Sequence, residues 1–264
     1  MNRLITFFVV FLLSAVLFTL SGLNKSVDAN SLTDDPSDRL QKAITLKDEF
    51  RDEEALKEFT FVLELQDDHY TALWYVVMLH TTIGHRPEQS RDREAHYDQA
   101  YNLAKQLLKH HPDSAGSHFA YAAAVGRKAQ IAGARQRIRL STEIREHAEK
   151  AIELDPEYAR AWNLLGIWHH RAANLSRLER LAANALFGGA PEGASNTKAR
   201  EAFRRAIAIN PDFILFYHDQ ANFFLTIGEK DNARRTINAG LSLDETTSDD
   251  TRWKENMQQM LSDL

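Results

Sequence analysis

Two copies of one short phrase constrain this chain more than anything else in it. REHAEKAIELDP ends at Pro156 and KAREAFRRAIAINP ends at Pro211. In each, small and apolar residues recur at helical spacing (Ala148, Ala151, Ile152 and Leu154; Phe203, Ala206, Ile207 and Ile209) before an acidic or amide residue and a proline stop the helix. A repeated helix of this kind buries its apolar stripe by stacking on its neighbours.

The same register extends along the chain. Taking Ala55 as the small residue of a rear helix, its equivalents are Ala100, Ile144, Ala199 and Ala233. Four residues on come Phe59, Ala104, Ala148, Phe203 and Ile237, and seven on Val62, Leu107, Ala151, Ala206 and Gly240. Twelve on, the helix stops at Asp67, Pro112, Pro156, Pro211 and Glu245. This order resembles the tetratricopeptide repeat. Trp162, Leu165 and Gly166 match the first helix of its pattern, and Ala199, Phe203, Ala206 and Pro211 match the second. The resulting expectation is an all-α, tetratricopeptide-like right-handed α-solenoid of about five helical hairpins, with insertions and a C-terminal capping helix near residues 248–261 that presents Trp253, Met257 and Leu261.

The periods are uneven. Ala55 to Ala100 is 45 residues, Ala100 to Ile144 is 44, Ile144 to Ala199 is 55 and Ala199 to Ala233 is 34. The extra residues fall between the two helices of repeats two, three and four, so those helices are longer or their loops carry added elements. Repeat two has the loop GHRPEQS from Gly84 to Ser90, and repeat three an Arg-rich insertion between a first helix over 114–124 and a return over 141–154. In repeat four, Ser176 and Glu179 have capping-box spacing. A short extra helix is predicted there, with Leu178, Leu181, Ala182 and Ala185 as its apolar stripe and Gly188-Gly189 with Pro191 as its stop.

The N-terminus is of another kind. Arg3 precedes an almost wholly apolar run from Leu4 to Leu20, and Val27-Asp28-Ala29 has the size pattern of a signal-peptidase site. Residues 1–29 read as a signal peptide or an N-terminal membrane anchor, 30–37 as a polar linker capped by Ser37 or Asp38, and 38–264 as the repeat domain. The chain is expected to be exported, periplasmic or in the cell envelope, and to touch a membrane only through residues 1–21 if they are retained. With no cysteine, disulfides and thiolate metal sites are excluded. The net charge of −5 supplies no drive toward nucleic acid.

Three further passages carry a family resemblance: IRLSTEIREHAEKAIELDP from Ile138, AWNLLGIWHHRAANLSRLERLAANALFGGAPEGAS from Ala161, and FRRAIAINP from Phe203. Together they are similar to the region shared by the regulator of microtubule dynamics protein family, with ANLSRLER followed by ALFGGAP as the distinctive words. The resemblance covers about residues 122–243 and, more loosely, the chain after the export segment, which marks a bacterial-type exported member. It implies a modified tetratricopeptide-like array without enzyme activity, whose eukaryotic members are associated with microtubules or with contacts between organelle membranes. The scaffold is what carries over.

The residues themselves point the same way. No Gly-x-Ser-x-Gly elbow or phosphate-cradling loop is present, the histidine pairs lack the spacing of a metal site, and no cofactor is expected. The tryptophans Trp74, Trp162 and Trp253 occupy packing positions, while Trp168 is placed either in the core or on the concave surface. From Ser114 to Thr142 there is no Asp or Glu, and Arg127, Lys128, Arg135 and Arg139 are candidates to hold an acidic group of a partner. If that segment is one helix, offsets of seven and eleven bring Lys128, Arg135 and Arg139 to one side. Asn163, Ile167, His170, His218 and Asn222 occupy the positions that face inward in resembling repeats. The function expected is a scaffold that binds a protein or peptide on its concave face. A membrane tether, or a hydrolase with its site in the repeat-four insertion, are the alternatives.

Overall fold

The order of caps, apolar stripes and breakers produces helices throughout. A computed structural model describes residues 35–86, 91–187 and 193–264. The expected export segment, residues 30–34 of the linker, residues 87–90 of the GHRPEQS loop and the stop at Gly188-Gly189 and Pro191 lie outside the described residues. In chain order the helices are α1 (Pro36–Asp48), α2 (Asp52–Leu65), α3 (Tyr70–Ile83), α4 (Arg93–His110), α5 (Ala115–Ile131) and α6 (Ala134–Leu154). There follow α7 (Ala159–Ala173), α8 (Arg177–Phe187), α9 (Asn196–Ile209), α10 (Ile214–Thr226), α11 (Lys230–Leu241) and α12 (Asp250–Ser262). Among the described residues there is no strand, and no helix is long and apolar enough to cross a membrane.

Hairpins pair α1 with α2, α3 with α4, α5 with α6, α7 with α9, and α10 with α11. Ala55, Ala100, Ile144, Ala199 and Ala233 all lie on the rear helix of their pair. The four alanines are wholly buried, which lets paired helices approach closely, and Phe59, Phe203 and Ile237 fill the space one turn further on. Helix α12 lies on α10 and α11 and buries Met257, with Trp253 and Leu261 beside it.

Local chemistry sets the boundaries, in places differently from the sequence expectation. Asp35, not Ser37 or Asp38, caps α1: its Oδ1 accepts the Ser37 N–H at 2.8 Å, and Pro36 occupies the first turn, where its missing N–H costs nothing. The extra residues of repeat three form no separate insertion. They lengthen α5 and α6, which meet at an extended two-residue corner, Ala132 (ψ 150°) and Gly133 (ψ 160°). The capping box of α8 forms: Glu179 accepts the Ser176 N–H at 2.9 Å and its hydroxyl at 2.7 Å, and Ser176 Oγ accepts the Glu179 N–H at 3.3 Å. The buried face of α8 is not the expected one. Ala183 is buried, whereas Leu181 is 66% exposed and Ala185 is exposed, on a helix that packs on α6. Leu178 and Ala182 are not among the described side chains.

The stack curls until its ends meet. Arg86, just after α3, bonds Asp52 at the start of α2, and its Nε donates to Asp249 Oδ1 at 3.0 Å just before α12. Ser248 Oγ donates to the same Asp52 carboxylate, Arg86 donates to Ser248 Oγ at 2.9 Å, and Arg252 reaches the His85 carbonyl at 3.3 Å. Burial, the largest influence on Arg86, pulls its pKa down, but Asp249 and Asp52 outweigh it and the net shift is upward. The concave face is thereby closed into a cavity.

Candidate functional site

The inward faces of α3, α5, α7 and α10, with residues 246–249 and Trp253, enclose a cavity of about 1140 Å³. Trp74, Phe119, Leu164 and Phe213 make an apolar stretch of its wall. Trp74 and Trp253, expected as packing residues, line this space: each is half-buried, with one side on the core and one on the cavity. Trp168 also reaches the wall, and its indole N–H is fixed by the Ser141 carbonyl at 2.8 Å.

Arg127, Asn163, Ile167, His170, His218 and Asn222 all face the cavity. Lys128, Arg135 and Arg139 do not lie on its wall. The expectation that these three share one side fails because the helix breaks at Ala132–Gly133, which puts Lys128 on α5 and the two arginines on the exposed side of α6. Lys128 is bonded to Asp98 of α4.

Asp219 of α10 is the centre of the polar wall. Asn163 Nδ2 donates to its Oδ2 at 2.7 Å, and His218 Nδ1 lies 3.1 Å from its Oδ1. Since that carboxylate can only accept, Asn163 must turn its amino group to it; the amide oxygen is left buried with no donor among the described residues. His218 packs against Trp253 with ring centroids 4.7 Å apart, His85 stacks on Trp253 at 6.2 Å, and the Arg252 guanidinium lies 4.4 Å over the same indole. His85 is pushed down to about 3 by burial first and then by Arg127, Arg252, Arg93 and Arg171. His170 is also lowered, chiefly by burial and then by Arg171.

Arg127 is half-buried in this wall, and among the described residues it has no hydrogen bond or ion pair. Burial lowers its pKa; Tyr97 and Asp219 oppose the shift, and Arg252 and Arg171 add to it. Arg160 faces the cavity from the first turn of α7, with its guanidinium 4.7 Å from the Phe213 ring centroid and 5.6 Å from that of Trp74. Neither Arg160 nor Arg171, on the last turn of α7, was singled out from the sequence. Both could have been: Arg160, Asn163, Ile167 and Arg171 are spaced three, seven and eleven along one helix and share its face. His85 and Trp253 gave no such signal, since their stacking joins the two ends of the array. Among the described residues, no group of three His, Asp or Glu could hold a metal ion.

Residues 39–264 match the family described as Regulator of microtubule dynamics protein 1-3. Regulator of microtubule dynamics protein 3 of Rattus norvegicus is 28% identical over 189 residues, covering 71% of this chain and 40% of the rat protein. Regulator of microtubule dynamics protein 1 of Homo sapiens is 34% identical over 115 residues, covering 44% of this chain and 36% of the human protein. The chain thus spans well under half the length of these relatives. Among solved structures, a thermophilic TPR protein of Thermus thermophilus superposes with a TM-score of 0.63 at 18% identity, over 86% of this chain and 100% of that one. That likeness is one of fold.

Proposed function

The chain belongs to the regulator of microtubule dynamics protein family, and from that premise we propose that its repeat array is a non-enzymatic scaffold holding a protein or peptide segment inside the ring of first helices. One observation carries the reading: each of α3, α5, α7 and α10 contributes both apolar surface and hydrogen-bonding side chains to a single cavity. An extended segment needs that mixture, with pockets for its side chains and amides for its backbone. Asn222, exposed to the cavity, has a side-chain amide that can donate and accept. Family and fold support the non-enzymatic part of the proposal. The microtubule role in the relatives' name is not carried over, because this chain covers 36–40% of their length. Arg3 and the apolar Leu4–Leu20 run support an exported or membrane-anchored scaffold.

Selection of displayed peptides against the full chain tests the proposal. Asn222→Trp fills the cavity from an exposed position and is expected to weaken selected peptides by roughly tenfold or more. Arg139→Ala, on the outer face of α6, should leave them unchanged. Peptides indifferent to Asn222→Trp would put the binding surface elsewhere.

A further inference from the structure

The cavity wall holds cations for which the protein supplies no partner. Among the described residues Arg127 and Arg171 bond to nothing, and the acids of the same wall are engaged elsewhere. Asp52 and Asp249 are bonded to Arg86, Glu179 closes the cap of α8, and Asp219 is held by Asn163 and His218. Only Asp48, at the end of α1, has no such bond among the described residues. Arg171 is exposed, but Arg127 is half-buried; a guanidinium drawn partly out of water without an acceptor is costly, and a carboxylate or phosphate brought by a ligand relieves that cost through two parallel hydrogen bonds.

The rest of the wall selects between those anions. Asn163 is 4% exposed, and its Oδ1 lacks a donor. It holds the Asp219 carboxylate, which also acts electrostatically on Arg127. The Asn163 amide oxygen is closed off from the cavity, whereas Asn222 is exposed to it with an amide that both donates and accepts, which matches the N–H and C=O groups of a peptide backbone; a phosphate diester or a free carboxylate offers acceptors alone. The aromatic stretch of Trp74, Phe119 and Phe213 accommodates apolar side chains of the same segment.

We propose that the occupant of the cavity is an acidic peptide segment whose carboxylate lies on Arg127 and whose backbone is bonded by Asn222. This rests on the peptide-binding reading above and adds the chemistry of the partner.

The test is fluorescence anisotropy on the full chain with two short labelled peptides, one alternating leucine with glutamate and the other leucine with glutamine. The glutamate peptide is expected to bind roughly tenfold more tightly. Arg127→Ala removes that difference, and Arg127→Gln, which keeps most of the side-chain volume, does the same. Lys128→Ala deletes an equal charge outside the cavity and preserves the preference. Asn222→Ala weakens both peptides alike. Equal binding of the two peptides, or a preference that survives Arg127→Ala, overturns the acidic assignment and leaves the scaffold reading standing. Binding of neither peptide overturns both. Arg127-dependent capture of phosphatidylcholine vesicles containing phosphatidic acid, with neither peptide bound, would assign the cavity to a lipid headgroup instead.

Discussion

His169 is 6% exposed on α7, and its Nδ1 has no hydrogen-bond partner among the described residues. Burial, with Lys198 and Arg145 nearby, lowers its pKa to about 4. His80 is lowered to about 4 by burial and by His96, whose Nδ1 is 2.9 Å away, and His85 is lowered to about 3. In the unfolded chain each takes up its proton near pH 6.5. Between that pH and their folded values the unfolded state therefore holds more protons, so stability is full above about pH 6.5 and declines as pH falls toward 4. By pH 5 the three histidines together should lower Tm by several degrees, at about 2–4 °C per kcal/mol for a chain of this size. Proton NMR is the direct check: their C2 resonances should keep the neutral-ring position down to pH 5. A His169 resonance that moves between pH 7 and 6 would contradict the burial on which this rests.

One hairpin shows how an element is held. A Cβ placed on Gly166 would lie 2.9 Å from Phe203 Cδ1 and Cε1, so α7 and α9 approach over a bare backbone, with a 1% exposed ring as the filler. Phe203→Ala should cost about 3–5 kcal/mol by opening a cavity, and Gly166→Ala about 1–3 kcal/mol by overpacking. Combined with Phe203→Leu, Gly166→Ala should cost less than the sum of the separate changes, because the smaller side chain leaves room for the methyl. Chemical denaturation of the four chains measures this, and strictly additive costs would contradict the contact. Gly166 and Phe203 were legible in the sequence, because a position that must stay small and a neighbour that must be large leave their mark on residue type at a fixed spacing. The same logic made the rear helices readable from Ala55 to Ala233. The corner at Ala132–Gly133 was not readable, since Gly126 and Gly133 interrupt the pattern equally well; the structure carries α5 through the first and breaks at the second. Nor was the lean of α8, where Ala183 is buried and the larger Leu181 is left in water, because the hydrophobic stripe of a short helix does not say how close its neighbour stands.

At the scale of the whole molecule, what distinguishes this array is that the two ends of its described repeats are bonded to each other. Solenoid repeats contact only their neighbours, so nothing in repeat periodicity anticipates a bond between residues 163 positions apart, such as Arg86 to Asp249. That bond decides the shape of the site, because closure sets His85 and Asp52 of the first hairpins against Trp253 and Ser248. Asp52 is 1% exposed; Arg86 and Ser248 both bond its Oδ2, and its Oδ1 has no hydrogen-bond partner among the described residues. Arg86→Ala therefore leaves a buried carboxylate with only the Ser248 hydroxyl, a loss of about 3–5 kcal/mol and a fall in Tm on the order of 10 °C. Asp52→Asn in the same chain should recover part of that loss, since it removes the charge that Arg86 no longer answers. The two changes differ in what they do to shape: small-angle scattering should show the Arg86→Ala chain wider than wild type, with faster amide exchange in α1 and α2, as the ends part. Peptide affinity should fall when closure is lost, because the parted ends no longer hold His85 against Trp253 at the cavity. An Arg86→Ala chain that keeps the wild-type scattering profile would mean the ends are held by the packing of successive hairpins, with Arg86 only decorating a ring that closes without it.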